Sequence, residues 1–222
     1  MPIRKWKKLI VNSRNSLLCV QLSTVPSSLP KMSKTRFFLY RLQTDNGTAP
    51  NITGGVCTMA LCKPVIRRSA VVGDYIIGLR GRSGELGKLG PHAVDSILYV
   101  MRVTQKMTMA EYDTHCSAHL QIKIPSPEND FTGDCQYTAS GQQRSGPHNP
   151  SHIDRDLGGK FVLLSDEFWY RSAPAGYRLP AELAEKWDVP SVARGHRVKT
   201  DYATTEAPLL SWLATFPTSM SH

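Results

Sequence analysis

Apolar positions in this chain gather into short continuous runs rather than long amphipathic stripes. Phe37–Leu42 (FFLYRL), Tyr75–Leu79 (YIIGL), Ser96–Thr104 (SILYVMRVT) and Lys160–Ser165 (KFVLLS) have the length and the aromatic and β-branched content of strands. Turn residues separate them. Asn46-Gly47, Pro50 and Gly54-Gly55 punctuate a loop over 45–55, Gly73-Asp74 turns the chain into Tyr75, and 80–91 is rich in glycine. Residues 107–119 predict a helix, with Thr108 at the N-cap and Glu111 three residues on in capping-box register. Shorter helices are predicted over 180–187 and 206–216, and the aromatic cluster Phe168-Trp169-Tyr170 follows the Lys160–Ser165 strand. Residues 122–150 carry no regular period and form a long loop, of the kind that is usually functional or disordered. Strands with loops and a few helices imply an α+β fold, built on a small, strongly bent β-sheet or a barrel with peripheral helices.

The charge of the chain is unevenly placed. The net charge of +9 includes six cations before Met32 (Arg4, Lys5, Lys7, Lys8, Arg14, Lys31) and no acid there, so residues 32–222 carry 21 − 18 = +3. Global basicity is therefore weak evidence for nucleic-acid binding, and local cations have to carry any such argument. Residues 1–31 read as a basic, disordered extension, 32–205 as the domain proper, and 206–222 as a C-terminal helix and tail. No apolar run approaches the ~18 residues of a membrane span. Five cysteines without compact spacing point to a reducing, cytoplasmic setting rather than a disulfide scaffold.

The densest chemistry lies in Thr48–Ala70. Gly54-Gly55 lets backbone N–H groups approach an anion, and Lys63, Arg67 and Arg68 supply charge for phosphate, although glycine and arginine pairs also serve ordinary turns. Cys57-x4-Cys62 and His148-x3-His152 have spacings used by Cys2His2 zinc sites, separated here by a very long insertion. Asp134, His148, His152 and Asp156 share one polar stretch suited to acid–base work or a divalent metal, and equally to capping turns. Tyr170, beside the core residue Phe168, is the aromatic best placed to wall a pocket, and Arg194-Gly195-His196-Arg197 adds a cationic turn.

Taken together, Thr48-Ala49-Pro50-Asn51, Gly54–Ala60, Cys62-Lys63-Pro64, Ile66-Arg67 and Gly73–Gly78 resemble the nucleotide modification associated domain 2 family. The strand over 98–103, the helix with Tyr112, Gly133-Asp134-x-x-Tyr137, the strand over 162–165 with Phe168 and Tyr170, and Arg194–Arg197 extend the likeness over roughly residues 36–198. It departs at Cys135 and at Arg171-Ser172. The Gly-Asp-aromatic strand followed by a second strand and a helix also resembles the PUA-like group, including EVE and ASCH domains, which implies a bent barrel that accommodates a modified base.

The resemblance implies a bacterial or phage protein with DNA or a nucleotide as partner, recognising a modified or flipped base. In that reading Gly54, Gly55, Cys57, Lys63, Arg67, Arg194, His196 and Arg197 face the nucleotide. Tyr75 or Tyr170 stacks on the base and Asp134 reads a base amine. The alternative is an enzyme acting on a nucleotide or base, with Asp134, His148, His152 and Asp156 as acid–base groups or metal ligands and Cys57 or Cys62 contributing a thiol. No P-loop, dinucleotide fingerprint, HExxH or nucleophile elbow is present, so binding ranks above catalysis, with no cofactor expected beyond a possible zinc.

Overall fold

The computed structural model describes residues 35–88, 96–172, 176–192, 195–199 and 205–216. The basic leader and Arg194, one of the expected phosphate contacts, lie outside them. The fold is α+β. Strands β1 (Phe37–Leu42), β3 (Tyr75–Arg80), β4 (Ser96–Arg102), β7 (Glu167–Tyr170), β8 (Tyr177–Arg178) and β9 (His196–Lys199) make a mixed sheet in the order β7-β4-β3-β1-β9, with β8 paired to the start of β4. Only β1 and β3 run parallel, with Phe37 opposite Tyr75; the other pairings in the sheet are antiparallel. A second, three-stranded sheet orders β2 (Cys57–Met59), β6 (Phe161–Ser165) and β5 (Gln105–Thr108). Of the two architectures the sequence allows, the open sheet is the one formed: β7 and β9 are free edges, and no barrel closes among the described residues.

The apolar runs are continuous because both faces of the main sheet are covered. On one face Phe37, Leu39, Tyr75, Ile77 and Val100 pack against α5 (Ala181–Lys186) and α6 (Glu206–Leu213) through Leu183, Trp187, Leu209 and Leu213. On the other, Phe38, Tyr40, Ile76, Tyr99 and Met101 meet the second sheet and α1 (Pro64–Ser69) through Cys57, Met59, Leu163 and Ile66. Beyond the second sheet, Tyr112 and Cys116 of α3 (Met109–His119) pack with Cys135 and Tyr137 of the long loop. Among the described residues no helix is long and apolar enough to cross a membrane.

Strand β4 holds an irregularity that bears on the site. Gly78 pairs with Tyr99 and Leu79 with Ile97, so Leu98 is an extra residue in the ladder. Leu98 and Tyr99 therefore both belong to the second-sheet face, while Ile97 and Val100 belong to the helix-covered face. Gly78 makes room for the turned ring, since a Cβ there would stand 2.2 Å from Tyr99 Cε1.

The capping box forms as the sequence predicts. The Thr108 side chain accepts from the Glu111 N–H, and the Glu111 carboxylate accepts from the Thr108 N–H at 2.7 Å. Thr108→Ala is expected to cost about 1 kcal/mol, read by urea denaturation. Among the described residues eight short strands and α-helices escaped the sequence reading, namely β2, β5, β7, β8, β9, α1, α2 (Gly84–Gly87) and α4 (Ile153–Leu157). Each has six residues or fewer and owes its form to its neighbours, with β2 and β5 flanking β6.

Candidate functional site

A cleft of about 920 Å³ opens beside β1, the loop that follows it, the start of α1, the long loop and the start of β9. Tyr40 stands at its floor. Its hydroxyl lies 2.6 Å from that of Tyr99, and burial pushes both phenols well above their ordinary pKa, so both stay neutral. The Lys63 ammonium sits 4.5 Å from the centre of the Tyr40 ring.

Backbone geometry fixes that lysine. Cys62 and Lys63 take φ of 55° and 41°, two successive non-glycine residues in the left-handed region, and Pro64 then opens α1. Such conformations cost of order 1 kcal/mol each and persist where the surroundings impose them, often at sites. Burial lowers the Lys63 pKa, with the Arg155 charge adding to the effect and Cys62 opposing it. The Cys62 thiol is pushed up, chiefly by burial, and is therefore a poor nucleophile as it stands.

The opposite wall centres on Asp156, which is fully buried at the base of α4 (Ile153–Leu157). One carboxylate oxygen accepts the Cys62 backbone N–H at 2.8 Å and Arg155 Nε at 3.2 Å. The other meets His148 Nε2 at 2.9 Å and the Tyr137 hydroxyl at 3.3 Å. Burial works against ionisation here, but the hydrogen bonds from His148, Cys62 and Arg155 outweigh it and hold the pKa at about 2. His148 and His152 line the cleft with rings 5.7 Å apart, and His148, His152 and Asp156 each place one ligand atom within 4.8 Å of those of the other two. His196 completes the lining, its pKa lowered by burial and by Lys63.

A carboxylate whose pKa is depressed in the fold stabilises that fold above its unfolded pKa, and the stabilisation fades as pH falls through the folded value. For Asp156 the window runs from about pH 4 down to pH 2, and the contribution is about 2–3 kcal/mol. Acid denaturation of Asp156→Asn is expected to show a correspondingly flatter stability loss across that window than wild type.

The structure divides the residues singled out from sequence. Lys63, Cys62, His148, His152 and His196 line one cleft, with Asp156 directly behind them. The other candidates among the described residues do not line it. Arg67 is fully buried and serves protein rather than ligand: its guanidinium donates to the carbonyls of Ala60, Cys62, Phe161 and Asp156. Cys57 is buried against Met101 Sδ at 3.8 Å, and burial raises its thiol to about 12. Cys57 and Cys62 do not join the histidines in a ligand cluster, so the four-residue Cys2His2 set does not converge.

Gly54 and Gly55, both at φ 73°, shape the turn before β2, where Ile122 lies 2.7 Å from a Cβ at Gly54. Tyr75 stacks on Phe37 at 5.4 Å, on the helix-covered side of the main sheet. Tyr170 donates to Asp45 Oδ1 at 3.1 Å, next to the cleft-lining segment 42–46. Arg197 is exposed and donates to the Ser191 carbonyl. Asp134 is fully buried and accepts from Thr58 Oγ1 and the Tyr112 hydroxyl, both at 2.6 Å. It pins the long loop to β2 and α3, and Lys123 stands beside it, donating to Thr58, Val56 and Asn51.

Tyr40 and Arg155 were missed as site residues. Tyr40 carried the one signal available, a hydroxyl inside a largely apolar strand that lines the cleft at this position. Neither a curated protein nor a solved structure matches the chain. A family model, that of nucleotide modification associated domain 2, matches residues 34–222, and the chain accordingly belongs to this family, whose name ties it to nucleotide modification.

Proposed function

We propose that the cleft binds a nucleotide, free or within DNA, and distinguishes a modified base. The observation that carries this is the convergence of Lys63, Arg155, His148, His152 and His196 on a single cavity of about 920 Å³ floored by a neutral tyrosine. Cations at the mouth suit phosphate, and a buried hydroxyl pair with aromatic surface suits a base. The family's link to nucleotide modification selects this ligand class over other anions.

Calorimetric titration with nucleotides and short oligonucleotides, each in modified and unmodified form, tests the reading. The expected result is binding that discriminates between the two forms and survives physiological salt. Absence of binding, or equal weak binding to every probe that vanishes at modest salt, overturns it.

A second reading, chemistry on the bound nucleotide, is favoured by one contact: His148, at the cleft, is held at 2.9 Å by the buried Asp156 carboxylate. A carboxylate that orients an imidazole is a common arrangement for moving a proton. Mass spectrometry of nucleosides after incubation reports on it, and an unchanged nucleoside pool counts against it.

A further inference from the structure

The geometry points to a binding site for a first-row divalent transition metal, such as zinc, formed by His148, His152 and Asp156 on the cleft wall. His148 Nε2 and Asp156 Oδ2 stand 2.9 Å apart. Two ligands bound to one ion at about 2.0–2.1 Å are separated by roughly 3.0–3.4 Å, so this pair is already close to coordinating distance. The ligand atom of His152 belongs to the same cluster, with no separation above 4.8 Å, and a ring rotation of His152 would bring it in.

The remaining contacts are those that orient a ligand set. Asp156 Oδ1 is tied to the Cys62 N–H and to Arg155, which leaves Oδ2 as the oxygen turned to the histidines. Gln143 Nε2 donates to the His148 carbonyl at 2.7 Å and steadies the backbone of that ligand, and Asn149 caps the turn carrying His152 through the Ser151 N–H at 2.9 Å. Two imidazoles and one carboxylate favour zinc, iron, cobalt or nickel over magnesium or calcium, which prefer all-oxygen sets. Lys63 and Arg155 line the same cleft, where they would also hold an anionic ligand beside the ion. This site stands apart from the nucleotide reading, because it is probed with metal alone.

A rival pair is present on the surface. His115 and His119 lie one turn apart on α3 with rings 5.2 Å apart, and they form a natural control. The full chain, stripped with chelator, is titrated with Zn²⁺ by calorimetry and with Co²⁺ by visible absorption. We expect one tight equivalent, weakened at least about tenfold in His152→Gln and unchanged in His115→Gln/His119→Gln. Ring signals of His148 and His152, followed by NMR in wild type during the Zn²⁺ titration, should move together, which keeps the test independent of any folding defect in a variant. The proposal is overturned if wild type binds no tight equivalent, if the tight equivalent follows the α3 pair, or if the two ring signals stay fixed.

Discussion

Replacing Arg67 by Met should destabilise the protein by about 3–5 kcal/mol, the largest single-site effect expected outside the apolar core. The guanidinium is wholly buried and serves four backbone carbonyls drawn from the residue after β2, the turn before α1, α4 and β6. Burial lowers its pKa to about 10, with Asp156 acting in the opposite direction, so it remains charged at neutral pH. Methionine matches much of the stem but donates nothing, leaving buried carbonyls without partners at about 1–3 kcal/mol each before relaxation. Against a total stability of about 5–15 kcal/mol, that leaves a marginal fold. The neighbouring Arg68 is exposed, and its guanidinium donates to the Gly158 carbonyl alone among the described residues. Arg68→Met should stay within about 0.5 kcal/mol of wild type. Urea denaturation of the two variants decides the point, and similar midpoints would show that the carbonyl cluster is not held by Arg67.

The second large effect concerns binding. Lys63→Asn is expected to weaken nucleotide binding by about 10–100-fold, because a charge-assisted contact to phosphate contributes about 1.5–3 kcal/mol. Asparagine is the informative replacement, since residue 63 sits at φ 41° and asparagine tolerates the left-handed region better than alanine does. The fold should therefore survive, and calorimetry on the folded variant separates loss of charge from loss of structure. The salt dependence should shrink as well, because one cation has left the contact. Unaltered affinity and salt slope would remove Lys63 from the site.

Much of the scaffold was legible in the sequence because it rests on local signals. The runs at Phe37, Tyr75, Ser96 and Phe161 became strands, and Thr108 with Glu111 capped a helix as their spacing predicts. The site was legible only in part. His148, His152 and Asp156 recur every four residues, and Lys63 stands beside a proline, so short spacing alone drew attention to them. Residue type could not separate Lys63, which opens to the cleft, from Arg67 four positions later, which serves the core. That distinction depends on which way α1 turns, and hence on contacts with residues 156–161, nearly a hundred positions away. Asp134 misled for the same reason: its partners Thr58 and Tyr112 are remote in sequence, so a structural carboxylate looked like a reactive one.

The extra residue at Leu98 gives strand β4 two phases of side-chain alternation, one on each side of the irregularity. Tyr99 belongs to the cleft side only because of that change of phase, and its hydroxyl is what the Tyr40 hydroxyl meets at 2.6 Å. Removing Leu98 would merge the two phases with Tyr99 still on the cleft side, whereas holding the full-length strand to the single alternation set by Ile97 would turn Tyr99 toward the helix-covered face and leave the floor of the cleft without its second hydroxyl. The floor is thus set by where the strand changes phase as well as by which residues it carries, and a scan that only exchanges side chains leaves that determinant untouched.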